Sequence, residues 1–151
     1  MVKPVSVDKG GYRKFGWIDP KTKKMHNGHD FNCPIGTAVK SVADGEVVFC
    51  GMMDGFGSFN PTTKGGVLIV KHKVENKVFY ALYGHITIND FFKNKKVREG
   101  ETIGFVEKYT SSGVSCPHLH FSIWYADNYP PAPYGYVDKL QFWVDPLVFL
   151  G

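Results

Sequence analysis

Apolar residues in this chain fall in short runs that suit strands better than long helices. "GEVVFC" (45–50) follows the turn signal Asp44-Gly45. "GVLIVKH" (66–72) is a continuous, β-branched apolar run of buried-strand length. "VENK" (74–77) reads as a hairpin turn leading into "VFYALYGH" (78–85). "ETIGFV" (101–106) follows the turn "REG" (98–100), and "HLHFSIWY" (118–125) is the longest strand expected. One short helix or helical turn is expected around "TINDFFK" (87–93). Two stretches interrupt the pattern: glycine-rich 51–65 and the proline-rich, aromatic 126–137. The segment "LQFWVDPLVFL" (140–150) is too apolar to be left in water, so it should pack back on the same body. No internal repeat or domain boundary is visible. The expected fold is one mainly β domain over 1–151, built on an antiparallel sheet with long loops that form a groove.

Composition narrows the picture. With 151 residues the chain buries roughly 68–70% of its unfolded surface and needs no staple merely to fold. Its 17 glycines and 9 prolines are spread along it, which favours many turns. A net charge of +4 suits an anionic partner without choosing among them. No basic run is interleaved with stacking aromatics, so nucleic-acid binding is not expected. No apolar stretch approaches the roughly 18 residues of a membrane span. The opening "MVKPVSVDKGGYRK" has no apolar signal core. The expectation is a mature form, a trimmed chain or a protein released by phage lysis. The three cysteines, Cys33, Cys50 and Cys116, are too few and too odd in number for a disulfide framework.

The histidines carry the candidate chemistry. On a strand, residues i and i+2 face the same way, so His118 and His120 should present both rings to one side of the sheet. In "HNGHD" (26–30), Asn27-Gly28 argues for a turn that folds His26 and Asp30 toward one point. Imidazole and carboxylate together suit Zn²⁺. His85, in "YGHI", ends an apolar strand, a common place for catalytic groups. Taken singly, each of these also fits an ordinary polar position on a sheet or turn.

Taken together, their order resembles one family. "FG", "HNGHDF", "PIGTAV" and "ADGEV", followed by "YGHI", "VREGETIG" and "CPHLHF", are similar to the lysostaphin-type (LytM-type) zinc endopeptidases that cut peptidoglycan peptides. The resemblance runs from about Phe15 to about Tyr125. It implies a lysostaphin-like fold of the duplicated-hybrid-motif type, one Zn²⁺ per chain and a monomer acting at the bacterial cell wall, periplasmic or extracellular. It implies His26, Asp30 and His120 as metal ligands, with His85 and His118 as catalytic histidines beside the metal. It gives His29, at a variable position inside the H-x-x-x-D pattern, no role, although a competing ligand set using His29 stays open; His72, ending the strand run "IVKH", reads as structural. Three protein ligands leave one tetrahedral position for water, as a catalytic zinc requires. With no H-E-x-x-H, no glutamate is placed as base, and the two catalytic histidines are the natural proton carriers.

Some readings stay open. Cys116 stands where the family usually has glycine, in a loop about one residue shorter than the common form; it could touch the metal, fill a loop corner or pair with Cys33. The loops 51–65, 87–96, 107–116 and 126–137 are expected as groove walls, with Tyr109, Tyr129, Tyr134 and Tyr136 as possible lining. Two other functions fit the same residues: a catalytically silent relative that binds wall or protein partners, and a zinc peptidase acting on proteins.

Overall fold

The structure, a computed structural model, describes residues 1–151. Six strands lead to the middle of the chain: β1 (Met25–His26), β2 (Gly28–Asn32), β3 (Ala38–Lys40), β4 (Gly45–Asp54), β5 (Lys64–Val74) and β6 (Lys77–Thr87). Then come β7 (Lys96–Val97), β8 (Thr102–Val106), β9 (Thr110–Ser111), β10 (Val114–Ser115) and β11 (His118–Trp124). The chain ends with β12 (Tyr136–Val137), β13 (Trp143–Val144) and the helix α1 (Pro146–Leu150). The main sheet runs β13-β11-β6-β5-β4-β7, with β2 joined to β11 and β8 joined to both β3 and β6. Every pairing is antiparallel, as the short strands and tight turns predict.

The central strands read as continuous apolar runs because both faces of the sheet are covered. Leu68, Val70, Ala81, Tyr83, Phe121 and Ile123 face the larger core, which Val39, Val42, Ile103 and Val106 close from the other side. Val67, Ile69, Leu82 and Trp124 face a second cluster completed by Phe56, Val137 and Trp143. The register locks this division, since Leu68 sits opposite Tyr83 and Tyr83 opposite Phe121. A slip of one residue would exchange the two faces. The C-terminal segment does fold back: Phe149 packs edge-on against Phe79 with ring centroids 4.7 Å apart. Asp145 caps α1 by accepting from the Leu147 N–H, and Pro146 occupies the first turn, where its missing N–H costs nothing.

Several expectations needed adjustment. Strand alternation continues past Cys50, so β4 reaches Asp54 and the glycine-rich loop shrinks to 55–63. The short helix or helical turn expected at 87–93 is present as a single 3₁₀ turn, Asp90–Phe92, capped by the Asn89 side chain. The Asn27-Gly28 step is not a reversing turn. His26 and Asp30 lie on successive strand pieces broken only at Asn27, whose backbone N–H is taken by the Gly135 carbonyl. The proline-rich 126–137 stretch ends in β12, which pairs with β1 and sets Tyr136 opposite His26.

Candidate metal centre and active-site cleft

Strand register brings the site together. In the β2–β11 ladder Asp30 is opposite His120, and His118 lies two residues along on the same face. His26 enters from β1, held by backbone bonds from its own N–H to the Trp17 carbonyl and from Gly16 to its carbonyl. His29, between them, points the other way and bonds Asp8 at 2.8 Å. It takes no part in the cleft.

His85 arrives by a different device. Gly84 pairs with His120 and so lies on the site face. Simple alternation would turn His85 into the core. Instead the β5–β6 register shifts between Gly66 and Val67, leaving His85 as an extra residue at φ 64°. A bulge of this kind re-aims one side chain, and the left-handed conformation is uncommon for a residue with a Cβ. The ring then swings to the site face, 4.5 Å from His118 between centroids. Gly84 is required beside it, because a Cβ there would overlap the Phe56 ring.

Three ligand atoms converge. His26 Nε2 is 3.1 Å from His120 Nδ1 and 3.1 Å from Asp30 Oδ1, and His120 Nδ1 is 3.3 Å from that oxygen. Donors placed about 2.0 Å from one tetrahedral ion lie about 3.3 Å apart, so the triangle fits zinc. The proton placement fits as well. His26 Nδ1–H donates to the Lys14 carbonyl at 3.1 Å, which turns an Nε2 lone pair toward the carboxylate. Lone pairs and a carboxylate crowded together are a donor set for a cation. His26, Asp30 and His120 are thus the residues able to hold a metal ion.

Electrostatics keep His120 and Asp30 in ligand form. Burial pushes His120 down to about 4, against the opposing bond from Asp30, so the ring is neutral near pH 7. Burial alone would raise the Asp30 carboxyl, but its bonds to His120 and His26 prevail and hold it well below the usual range. Burial, reinforced by neighbouring His118, also drives His85 well below its ordinary value. His85 Nδ1–H donates to the Phe56 carbonyl at 2.7 Å, and His118 Nδ1–H donates to the Cys116 carbonyl at 2.9 Å. Each of these two rings therefore has Nε2 left over on the cleft side, that of His118 lying 3.7 Å from Asp30 Oδ2.

The five residues line one cleft of about 530 Å³. Tyr109, Tyr134 and Tyr136 line it too, with Phe56, Phe59 and Pro61 from the loop after β4. Two expectations about its walls fail. Residues 87–96 lie elsewhere, because the 3₁₀ turn packs beside β4, and Tyr129 packs edge-on against Tyr80 outside the cleft. The missing wall is N-terminal: Gly11, Tyr12, Arg13, Asp19, Thr22 and Lys24. Nothing in the local pattern of that segment marked it, since it reaches the site through long-range contacts. Cys116 faces the cleft, but burial keeps its thiol protonated and its sulfur stands outside the converging triad. All three cysteines are free, so Cys33 and Cys116 are not bonded.

An antiparallel β domain thus carries a His₂Asp cluster able to hold a metal ion, with His85 and His118 beside it. The sequence pattern of Peptidase family M23 matches residues 24–131, and the chain belongs to that family. Peptidoglycan DD-endopeptidase ShyA of Vibrio cholerae is 31% identical over 108 residues, covering 70% of this chain and 22% of that protein. A zinc containing peptidase from Vibrio cholerae superposes with a TM-score of 0.57 at 27% identity, over 80% of this chain and 36% of the other. The antimicrobial peptidase lysostaphin from Staphylococcus simulans shares the fold, with a TM-score of 0.66 at 24% identity over 95% of this chain and 50% of that one. The chain spans between 15% and 26% of the length of the curated relatives it matches.

Proposed function

We propose that this chain is a zinc endopeptidase that hydrolyses amide bonds in the stem or bridge peptides of peptidoglycan. The observation that carries the reading is the convergence of His26, Asp30 and His120 at zinc-ligand spacing, with His85 and His118 in the same cleft. Family membership supports the peptidase class, and the ShyA relative supports peptidoglycan as substrate. Such a substrate puts the site of action at the bacterial cell wall.

His26 Nε2, His120 Nδ1 and the Asp30 carboxylate would hold the zinc ion. Zinc bound there supplies Lewis acidity, polarising a carbonyl and making water acidic near neutral pH. His85 and His118 do the remaining work. Each commits Nδ1–H to a backbone carbonyl and leaves Nε2 on the cleft side, where one of the two accepts the proton of the attacking water. In its protonated form a histidine donates to the leaving amine or to the developing oxyanion. The Phe56 and Cys116 carbonyls hold the two rings in the required tautomer. The aromatic walls exclude water and give an extended peptide an apolar bed.

The test is digestion of several purified peptidoglycans, with new amine and carboxyl termini identified by mass spectrometry. Release should stop on chelation and return with added Zn²⁺. Hydrolysis that survives complete removal of metal would overturn the reading.

A further inference from the structure

Arg13 has no part in the hydrolytic chemistry, yet it lines the cleft. Its guanidinium lies 4.1 Å from the Trp17 ring centroid and 5.6 Å from those of Phe59 and Tyr136. Nη1 donates to the Tyr136 hydroxyl. A guanidinium carries five N–H donors, and this is the one side-chain bond that Arg13 makes. No carboxylate lies within ion-pair distance of it, although Asp19 and Asp54 face the same cleft. A half-buried cation with donors to spare therefore sits clamped among three aromatic rings.

Its position is tied to the metal centre on two sides. The Arg13 carbonyl accepts the Asp30 N–H at 2.9 Å. Tyr136 pairs across the ribbon with His26, their rings 5.3 Å apart. The rings hold the guanidinium plane, so little freedom remains to be lost when an anion binds. Lys24, the other cation of the lining, has no such clamp. Arg13 also lies ahead of the residues matched by the family pattern, 24–131, so the shared pattern does not account for it.

We propose that Arg13 is a specificity-determining residue that binds a free carboxylate of the substrate peptide beside the scissile amide; this rests on the peptidase reading above. The planar fork suits a carboxylate held by two parallel bonds. One chemistry has two sources here. The carboxylate is either a side-chain carboxylate next to the cut bond in a cross-linked peptide or the chain-terminal carboxylate of an uncross-linked stem.

The experiment uses two pairs of synthetic peptides. One pair is a cross-linked stem-peptide dimer with the flanking side-chain carboxylate either free or amidated. The other is a linear stem peptide ending in carboxylate or carboxamide. Wild type should prefer the acid of one pair by roughly 10- to 100-fold in kcat/KM, mostly through KM, as for a charged hydrogen-bonded contact. The pair that shows the preference identifies the source. Arg13→Gln should abolish the preference while leaving the amide rate within a few-fold, and Arg13→Lys should restore part of it. A residue that merely props up Trp17 and Tyr136 would lower acid and amide rates together. Equal rates for acid and amide in both pairs, or a preference that survives in Arg13→Gln, overturns the proposal and leaves the peptidase reading standing. Cleavage of none of the peptides, nor of whole peptidoglycan, overturns both. If Arg13→Gln does not fold, the wild-type comparison and Arg13→Lys still decide.

Discussion

Replacing His72 should change how stability depends on pH. His72 lies in β5, far from the cleft, with no exposed surface. Its ring stacks on Phe79 at 4.9 Å and meets the Asp44 carbonyl through Nδ1 at 2.9 Å, while Nε2 is buried without a partner. A proton on that second nitrogen would be a buried charge without an acceptor. Burial accordingly pushes His72 from 6.5 down to about 4. The folded value is the depressed one, so the unfolded chain takes up a proton that the folded chain refuses. Stability is full above about pH 6.5 and falls as the solution is acidified toward pH 4. At about 1.4 kcal/mol per pH unit, the shift amounts to about 3 kcal/mol in all, of which about 2 kcal/mol is lost by pH 5. His72→Phe keeps the stack on Phe79 and removes the titration. Urea unfolding of both proteins at pH 7.5 and pH 5, metal state held fixed, reads the difference of differences. Wild type should lose about 2 kcal/mol more than the variant. Parallel losses would refute the claim that His72 is held neutral by its surroundings, whatever the variant's absolute stability.

Other expected outcomes follow the site itself. Gly84→Ala places a Cβ against the Phe56 ring, so it should cost about 1–3 kcal/mol and displace the carbonyl that orients His85. Thermal melts and peptidoglycan hydrolysis at full zinc loading check this; unchanged activity would contradict the role given to the bulge. His29→Ala breaks the 2.8 Å bond to Asp8 and should lower stability by about 1–3 kcal/mol while leaving zinc content intact. Loss of zinc there would make His29 a ligand instead. His118→Ala should keep zinc but lose roughly 10²–10⁴ in rate, as for removal of a general acid or base, in steady-state assays with the digested peptide.

What the sequence disclosed depended on how local the signal was. The shared face of His118 and His120 follows from strand alternation, which needs only neighbouring residues. The hairpin turn expected at 74–77, which the structure makes at 75–76, and the buried run expected at 66–72 within β5 were legible for the same reason. His85 was not, on physical grounds: alternation alone would send it into the core, and only the bulge at φ 64° returns it to the cleft. Its strand-end position marked it as a candidate, and the resemblance to a family implied a catalytic role. The break at Asn27 looked like a turn because Asn-Gly is a turn signal, but the Gly135 carbonyl takes its N–H and keeps the chain extended. The N-terminal wall around Arg13 was invisible, since its place is set by backbone bonds to Asp30 and His26 across the fold.

The central claim, a three-residue zinc centre with two histidines standing off the metal, is tested most directly by zinc stoichiometry. Wild type, His118→Ala and His120→Ala, each confirmed folded, would be dialysed against the same zinc buffer and analysed by mass spectrometry for metal per chain. The account predicts about one zinc in wild type and in His118→Ala, and a loss of most bound zinc in His120→Ala, which removes one of three protein ligands. Full zinc in His120→Ala, or its loss in His118→Ala, would contradict the assignment.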